Sequence, residues 1–223
     1  MDKINSVLGV SSLYERLPVN FVNGFKTVEQ KFFNGNYVPL KKDTIVHLDL
    51  SLTSDDFIEA LERQDIFRFV DEYRVRRLSF DIGPCFRHFQ LIDEKYVGIS
   101  GHLSLNQVYE LCEKKLDYLR QRLRGLCEIA VENLNYYNTS AYEYVCEPHF
   151  YNDICKKFDI GLVFDMAHAE ISAYNQKVDL HGYIEKFDFG NIDEFHISKT
   201  NIIDKNHAVD SHNVPDEAEF GVL

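Results

Sequence analysis

Positive charge is scarce in this chain. Its 223 residues carry 24 Lys and Arg against 36 Asp and Glu, a formal net charge of -12. Duplex DNA and RNA attract proteins mainly through Lys and Arg on phosphate, so this balance disfavours a nucleic-acid role. The only basic clusters are RVRRL (residues 74–78) and RQRLR (residues 120–124). They read as the lead into a strand and the close of a helix, where Arg suits the dipole and charge solvates a face. No apolar run approaches ~20 residues, so no membrane span is expected. The opening MDKINSVLGVSS lacks an apolar stretch of signal-peptide length, and a cytoplasmic chain is expected. The five cysteines, Cys85, Cys112, Cys127, Cys146 and Cys155, form no CxxC pair. An odd count of unpaired thiols suits a reducing compartment, with most of them acting as small core residues. A glycine-rich dinucleotide fingerprint and a P-loop are both missing, as are internal repeats and low-complexity stretches.

What is present is enough for a full core. The hydrophobic fraction is 45%, with 17 Phe and 13 Tyr, which indicates a folded chain. Its length fits one large domain, and residues 1–223 are expected to form a single metal-binding barrel domain. Strand candidates lie at residues 6–12, 26–33 (with Glu29 in the middle), 44–52, 77–83, 127–133, 160–165 and 192–197. Residues 13–20 read as a short helix or loop, and Asn34-Gly35-Asn36 as a turn. Ser54-Asp55-Asp56 reads as a helix N-cap before apolar residues at helical spacing through residue 73. Residues 84–96 read as a loop and 105–123 as a long amphipathic helix. Residues 134–144 read as a polar, Tyr-rich loop covering a site, 147–157 and 181–187 as helices, 169–177 as loop or short helix, and 208–222 as an irregular tail. Strands alternating with helices argue for α/β architecture with a parallel sheet. Acids and imidazoles close many different strands, which favours a TIM-type (β/α) barrel over a doubly wound sheet. Seven strands fall short of eight, so the barrel is expected to be shortened at its C-terminus.

The strand ends supply the candidate metal ligands: His47, Asp81, Glu132, Asp165, His168, His196, Asp210 and His212. Carboxylate oxygen and imidazole nitrogen together suit iron, manganese or zinc. Bridging carboxylates and a surplus of donors point to more than one ion, and paired metal ions ~4 Å apart stabilise charge on both sides of a reacting centre. Taken singly, each residue has a plainer reading: a helix cap at Asp165, a turn at Asp210-Ser211-His212, loop polarity at Glu132-Asn133. Taken together, several ionised groups at the mouth of a packed core are costly without a cation. Weaker candidates are a Cys85–His88 nucleophile pair, His102 as a replacement ligand, and stacking by Tyr136, Tyr137, Tyr142 and Tyr144.

The segments VENLNYY, GLVFDMAHAEISAYNQKVDLHGYIEKF, IDEFHIS and VDSHNVP together resemble the xylose isomerase-like TIM-barrel superfamily. Within it the chain looks most like the multinuclear non-haem iron-dependent oxidative enzymes of methanobactin-biosynthesis type, over roughly residues 44–220. The resemblance implies His47, Glu132, Asp165, His196, Asp210 and His212 as ligands of two or three divalent metal ions, iron first, with zinc or manganese as alternatives. His168 stands where many members carry Asn, in an Asp-x-x-His arrangement shared with related apurinic endonucleases and sugar isomerases. Two positions depart from the pattern. Ser79-Phe80-Asp81 stands in place of a Ser-Glu-His segment, and a last-strand acid has no counterpart unless Glu217 or Glu219 substitutes. The implied activity is oxidation of cysteine in a ribosomally made peptide, presented by a partner protein. A redox-neutral sugar isomerase or epimerase, an apurinic-endonuclease-like enzyme and a non-catalytic relative stay open as alternatives.

Overall fold

The computed structural model describes residues 9–11, 27–32, 44–93, 95–204 and 207–213. In chain order these form β1 (Gly9–Ser11), β2 (Thr27–Phe32), β3 (Thr44–Ser51), α1 (Phe57–Arg63), α2 (Ile66–Tyr73), β4 (Arg77–Asp81), β5 (Phe86–Ile92), β6 (Lys95–His102) and α3 (Leu105–Leu123). There follow β7 (Glu128–Glu132), α4 (Pro148–Phe158), β8 (Gly161–Asp165), α5 (Met166–Gln176), α6 (Leu180–Ile184), β9 (Ile192–His196), β10 (Lys199–Asp204) and β11 (His207–Asn213). The expected helix or loop at residues 13–20, the turn at Asn34-Gly35-Asn36 and the stand-ins Glu217 and Glu219 lie outside the described residues.

Period-two alternation decides which way each strand faces. In β4, Leu78 and Phe80 are fully buried under the helices, while Arg77, Ser79 and Asp81 share the opposite face. In β7, Val131 joins the helix-side core while Ala130 and Glu132 face the other way. In β8, Leu162 and Phe164 pack outward, opposite Val163 and Asp165. The apolar core therefore lies between strands and helices. It includes Phe57, Leu61, Val108, Leu116, Leu119 and Ile154 from the helices, and each buried Leu there stabilises the fold by roughly 2 kcal/mol. In α3, Val108, Cys112, Leu116, Leu119 and Leu123 recur at helical spacing on the buried face. Ser104 and Gln107 close its first turn as a reciprocal capping box, satisfying two otherwise orphaned N–H groups.

Among the described residues the main sheet has seven strands, ordered β1-β2-β3-β4-β7-β8-β9. Every adjacent pair is parallel. The sheet is rolled, because side chains meet across it. Glu29 of β2 comes within 3.3 Å of His196 of β9, and Arg77 of β4 reaches Glu194 of β9 at 3.3 Å. Parallel strands rolled in this way bring all their C-terminal ends to one mouth. The α/β barrel expectation and its seven strands hold.

Several local expectations are corrected. The helix at residues 57–73 is broken into α1 and α2 by Asp65, which takes a left-handed conformation (φ 54) that Asp tolerates better than most residues. Residues 84–96 are not a loop: they form β5 and the start of β6, an antiparallel hairpin at the mouth. Its Leu91, Ile92 and Ile99 are exposed, so the hairpin carries no core-facing alternation to betray it. The tail at residues 208–222 begins as β11, paired antiparallel with β10. The stretch at 169–177, read as loop or short helix, is helix through Gln176 in α5, with Lys177 as its left-handed C-cap. Tyr137 and Tyr142 do not line a site but are buried in the core. Arg77, read as part of a solvated basic run, is 5% exposed and lies on the inner face of the barrel. Gly83 follows β4 with φ +89, and a side chain there would collide with Ser51 and Thr53 where β3 ends. Among the described residues no helix is long and apolar enough to cross a membrane.

Candidate metal centre

The inner faces of the strands converge on Glu132, the last residue of β7, which is 2% exposed. Its Oε2 lies 3.3 Å from Nε2 of His47 on β3. Its Oε1 lies 2.7 Å from Nδ1 of His196 at the end of β9. One carboxylate thus faces two imidazoles from different strands. Asp81 closes β4 with Oδ1 4.0 Å from His47 Nε2, and Asp165 closes β8 with Oδ2 3.8 Å from His196 Nδ1. On the other edge of the His196 ring, Nε2 meets Glu194 Oε1 at 3.2 Å and Glu29 Oε1 at 3.3 Å. Among the described residues, ligand atoms fall within 4.8 Å of one another in three groups: His47 with Asp81 and Glu132, Glu132 with Asp165 and His196, and Glu29 with Glu194 and His196. The first two groups share Glu132.

Asp165 also begins α5. Its Oδ1 accepts the backbone N–H of His168 at 3.0 Å, capping the helix, so the cap and the site are served by one side chain. Asn133 fixes that strand end: its side chain accepts from Asp165 N at 2.7 Å and donates to Asp165 O at 3.0 Å. His168, on the first turn of α5, places Nδ1 2.7 Å from the Asn133 carbonyl and Nε2 3.3 Å from Asp210 Oδ2. Asp210 comes from β11, which is pinned to α5 where Ala208 N donates to Asn175 Oδ1 at 2.8 Å. His47 is held in the same manner, with Nδ1 3.0 Å from Ser79 Oγ.

The electrostatics follow from acids and imidazoles crowded out of water. Burial raises the Asp165 carboxyl, against the pull of the neighbouring His168, and Glu132 pushes it further up. Burial works to lower the His168 imidazole, but Asp165 and Asp210 outweigh it and hold it at about 10. His196 is likewise opposed by burial, yet Glu29 and Glu132 carry it well above its ordinary value. Protons on the imidazoles thus neutralise carboxylates that have been taken out of water. A divalent cation would serve the same purpose, and hard or borderline ions accept these oxygen and nitrogen donors.

Of the residues expected from sequence, His47, Asp81, Glu132, Asp165 and His196 meet directly, and His168 and Asp210 form a second pair joined through Asp165. His212 lies on β11, and its side chain lies outside what the structure describes. Glu29 and Glu194, passed over as ligands in the sequence, face the same imidazole. Their sole signal is positional and does not distinguish an inner from a solvent face: Glu194 stands two residues before His196 on a strand, and Glu29 sits mid-strand between β-prone neighbours. The weaker candidates stand apart. Cys85 is buried and its thiol is raised by burial, the wrong direction for a nucleophile. His102 is exposed, bonded to Glu143 at 2.8 Å.

Comparison with known proteins gives a family and a fold. The family described as "RiPP precursor modification enzyme MbnB/TglH/ChrH" matches residues 44–219. No curated protein matches. Among solved structures, a xylose isomerase domain-containing protein from Salmonella typhimurium is similar over 96% of this chain and 80% of its own, with TM-score 0.62 and 9% identity. A D-psicose 3-epimerase from Clostridium cellulolyticum is similar over 87% and 73%, with TM-score 0.59 and 12% identity. A family 2 AP endonuclease from Brucella melitensis is similar over 86% and 80%, with TM-score 0.54 and 15% identity. At such identities the likeness is one of fold, the xylose isomerase-like TIM barrel.

Proposed function

We propose, starting from the fact that this chain belongs to the RiPP precursor modification enzyme family MbnB/TglH/ChrH, that it is an iron- and oxygen-dependent oxidoreductase acting on cysteine of a ribosomally made peptide. The observation that carries the metal-centre reading is Glu132, whose two oxygens face His47 and His196 at 3.3 and 2.7 Å. A carboxylate so placed can bridge two ions. His47, Asp81 and Glu132 would hold one ion, and Glu132, Asp165 and His196 a second. His168, Asp210 and His212 would be the donors for a third. Asp81 offers oxygen where the family resemblance calls for imidazole, which makes that part of the site harder and more anionic. Iron bound there would supply a coordination position for a substrate thiolate and the electron transfer to O2.

The chain's own groups do the rest. Asn133 and Ser79 orient the strand-end ligands. The hairpins β5–β6 and β10–β11 follow β4 and β9 and so rise around the mouth, where a peptide must enter. With a net charge of -12, the protein favours a neutral or basic peptide, or a partner protein that presents one. The cysteines are unpaired, in keeping with a reducing cytoplasm.

A redox-neutral epimerase or isomerase is the second reading, favoured by the Asp165–His168 arrangement and by the epimerase fold neighbours. Zinc or manganese would serve it. Incubating the iron-loaded protein with a cysteine-bearing precursor peptide separates the two. The oxidative reading expects a mass change on the peptide that requires iron and O2. Sugar epimerisation by the zinc or manganese form, with the peptide untouched in air, would overturn it.

A further inference from the structure

The floor of the barrel holds a cation that the proposed chemistry does not use. Arg77, at the start of β4, lies roughly 13 Å below Asp81 at strand rise. Its guanidinium donates to Glu128 Oε2 at 2.8 Å, to the Asp193 carbonyl at 3.3 Å and to Glu194 Oε2 at 3.3 Å. The Asp193 carboxylate adds a contact at 3.4 Å. That geometry has been made room for. β9 bulges at Asp193, since Leu162 pairs with Ile192 but Val163 pairs with Glu194. A Cβ on Gly161 would overlap the Asp193 carboxylate. The bulge turns Glu194 inward beside His196, so one oxygen of Glu194 is held by Arg77 and the other meets His196 Nε2 at 3.2 Å.

The other two imidazoles show what this arrangement does. His47 and His168 each have Nδ1 anchored, on Ser79 Oγ and on the Asn133 carbonyl, and each sends Nε2 toward a carboxylate at the mouth. An anchored nitrogen that donates its N–H fixes the tautomer and frees the other nitrogen to ligate. In His196 the roles are exchanged. The anchored edge is Nε2, on a carboxylate that already has its own guanidinium. The edge turned toward the mouth is Nδ1, which meets Glu132 at 2.7 Å and Asp165 at 3.8 Å.

We infer that Glu194, held from the barrel floor by Arg77, is the positioning residue for His196: it accepts the Nε2–H and leaves Nδ1 as the nitrogen that ligates metal. This rests on the metal-centre reading given above. It excludes a metal ion between Glu29, Glu194 and Nε2, because that edge of the ring is occupied by the proton. Glu29 then contributes charge beside the ring, not a bond to the ion on the Nδ1 side.

The test is Co(II) titration of the metal-stripped wild type, E194A and E194Q, followed by visible absorption and by chelator competition, with thermal melts of the metal-free proteins. E194A is expected to bind about 10–100-fold more weakly, with an altered Co(II) spectrum. E194Q keeps one oxygen that accepts the Nε2–H while its NH2 faces Arg77 and gives up that bond, so it is expected to bind within a few-fold of wild type and to keep its stoichiometry. Recovery by the amide is the outcome a merely structural role would not give. Unchanged affinity in E194A overturns the inference, and so does E194Q losing a full equivalent of metal, which would make Glu194 itself a ligand. If E194A fails to fold, the E194Q result alone decides. A wild type that binds no Co(II) refutes the metal centre and this inference with it. A wild type that binds while E194A is unaffected refutes the inference only.

Discussion

His168 is the residue whose charge state the site controls most openly. Burial works against its proton, but Asp165 and Asp210 hold its pKa at about 10 in the metal-free protein. A histidine raised in this way stabilises the fold fully below its ordinary value of ~6.5. That contribution is lost as pH climbs toward and through about 10. The metal-free protein should therefore lose stability between neutral pH and pH 10, and H168N should show a shallower loss over the same range. Thermal melts of both proteins at stepped pH read the difference, and parallel curves would contradict it. Metal binding runs the other way, because a ligating imidazole must first give up its proton, so affinity should tighten across the same window. At this scale the sequence was informative where a strand ended on a candidate ligand. Asp165, His196 and Glu132 each terminate an apolar run and were legible for that reason. Glu194 and Glu29 were not, because a carboxylate inside a strand looks like one on a solvent face until the sheet rolls and turns that face inward. Arg77 was misread for the same reason: a basic run has no mark that says one member points into a barrel.

Elements bring these residues together, and the second hairpin shows how. β10 and β11 follow β9 and return over α5, where Asn175 donates to the Ala208 carbonyl at 3.1 Å and to the Tyr136 carbonyl at 2.8 Å, and accepts from Ala208 N. Asp210 lies two residues on. N175A removes every one of these bonds and leaves backbone groups of Ala208 without them, a cost of about 1–3 kcal/mol. The fold should survive, because α5 keeps its buried Ile171 and Ala173. The metal that depends on Asp210 should be lost. Metal equivalents measured beside a thermal melt test this: full retention at an unchanged melting temperature would contradict it. The long helix, the parallel strands and their order along the chain were readable from periodicity and caps. The two hairpins were not. Their strands face solvent on most sides, as in β5 and β6 with Leu91, Ile92 and Ile99 exposed, so no alternation between apolar and polar residues marks them. The break at Asp65 was equally silent, since its backbone turn costs Asp little.

Across the whole molecule, the candidate metal centre is assembled because a sheet of seven parallel strands, counted among the described residues, is rolled until β2 and β9 meet. The seven strands could be counted in the sequence, and acids or imidazoles at several of their ends pointed to one shared mouth. What could not be read was the distance between edges, which depends on how tightly the sheet curls. The result is an interior unlike the apolar filling usual for such barrels: an arginine with three carboxylates at the floor and a mixed carboxylate–imidazole cluster above. Glu132 is the residue on which that cluster turns, so the most direct measurement is the iron content of protein purified without added metal, wild type beside E132A. A multinuclear centre bridged by Glu132 predicts two or more equivalents of iron with visible absorption in the wild type, and less than one equivalent in a folded E132A. No bound metal in the wild type, or equal iron in both proteins, would contradict it.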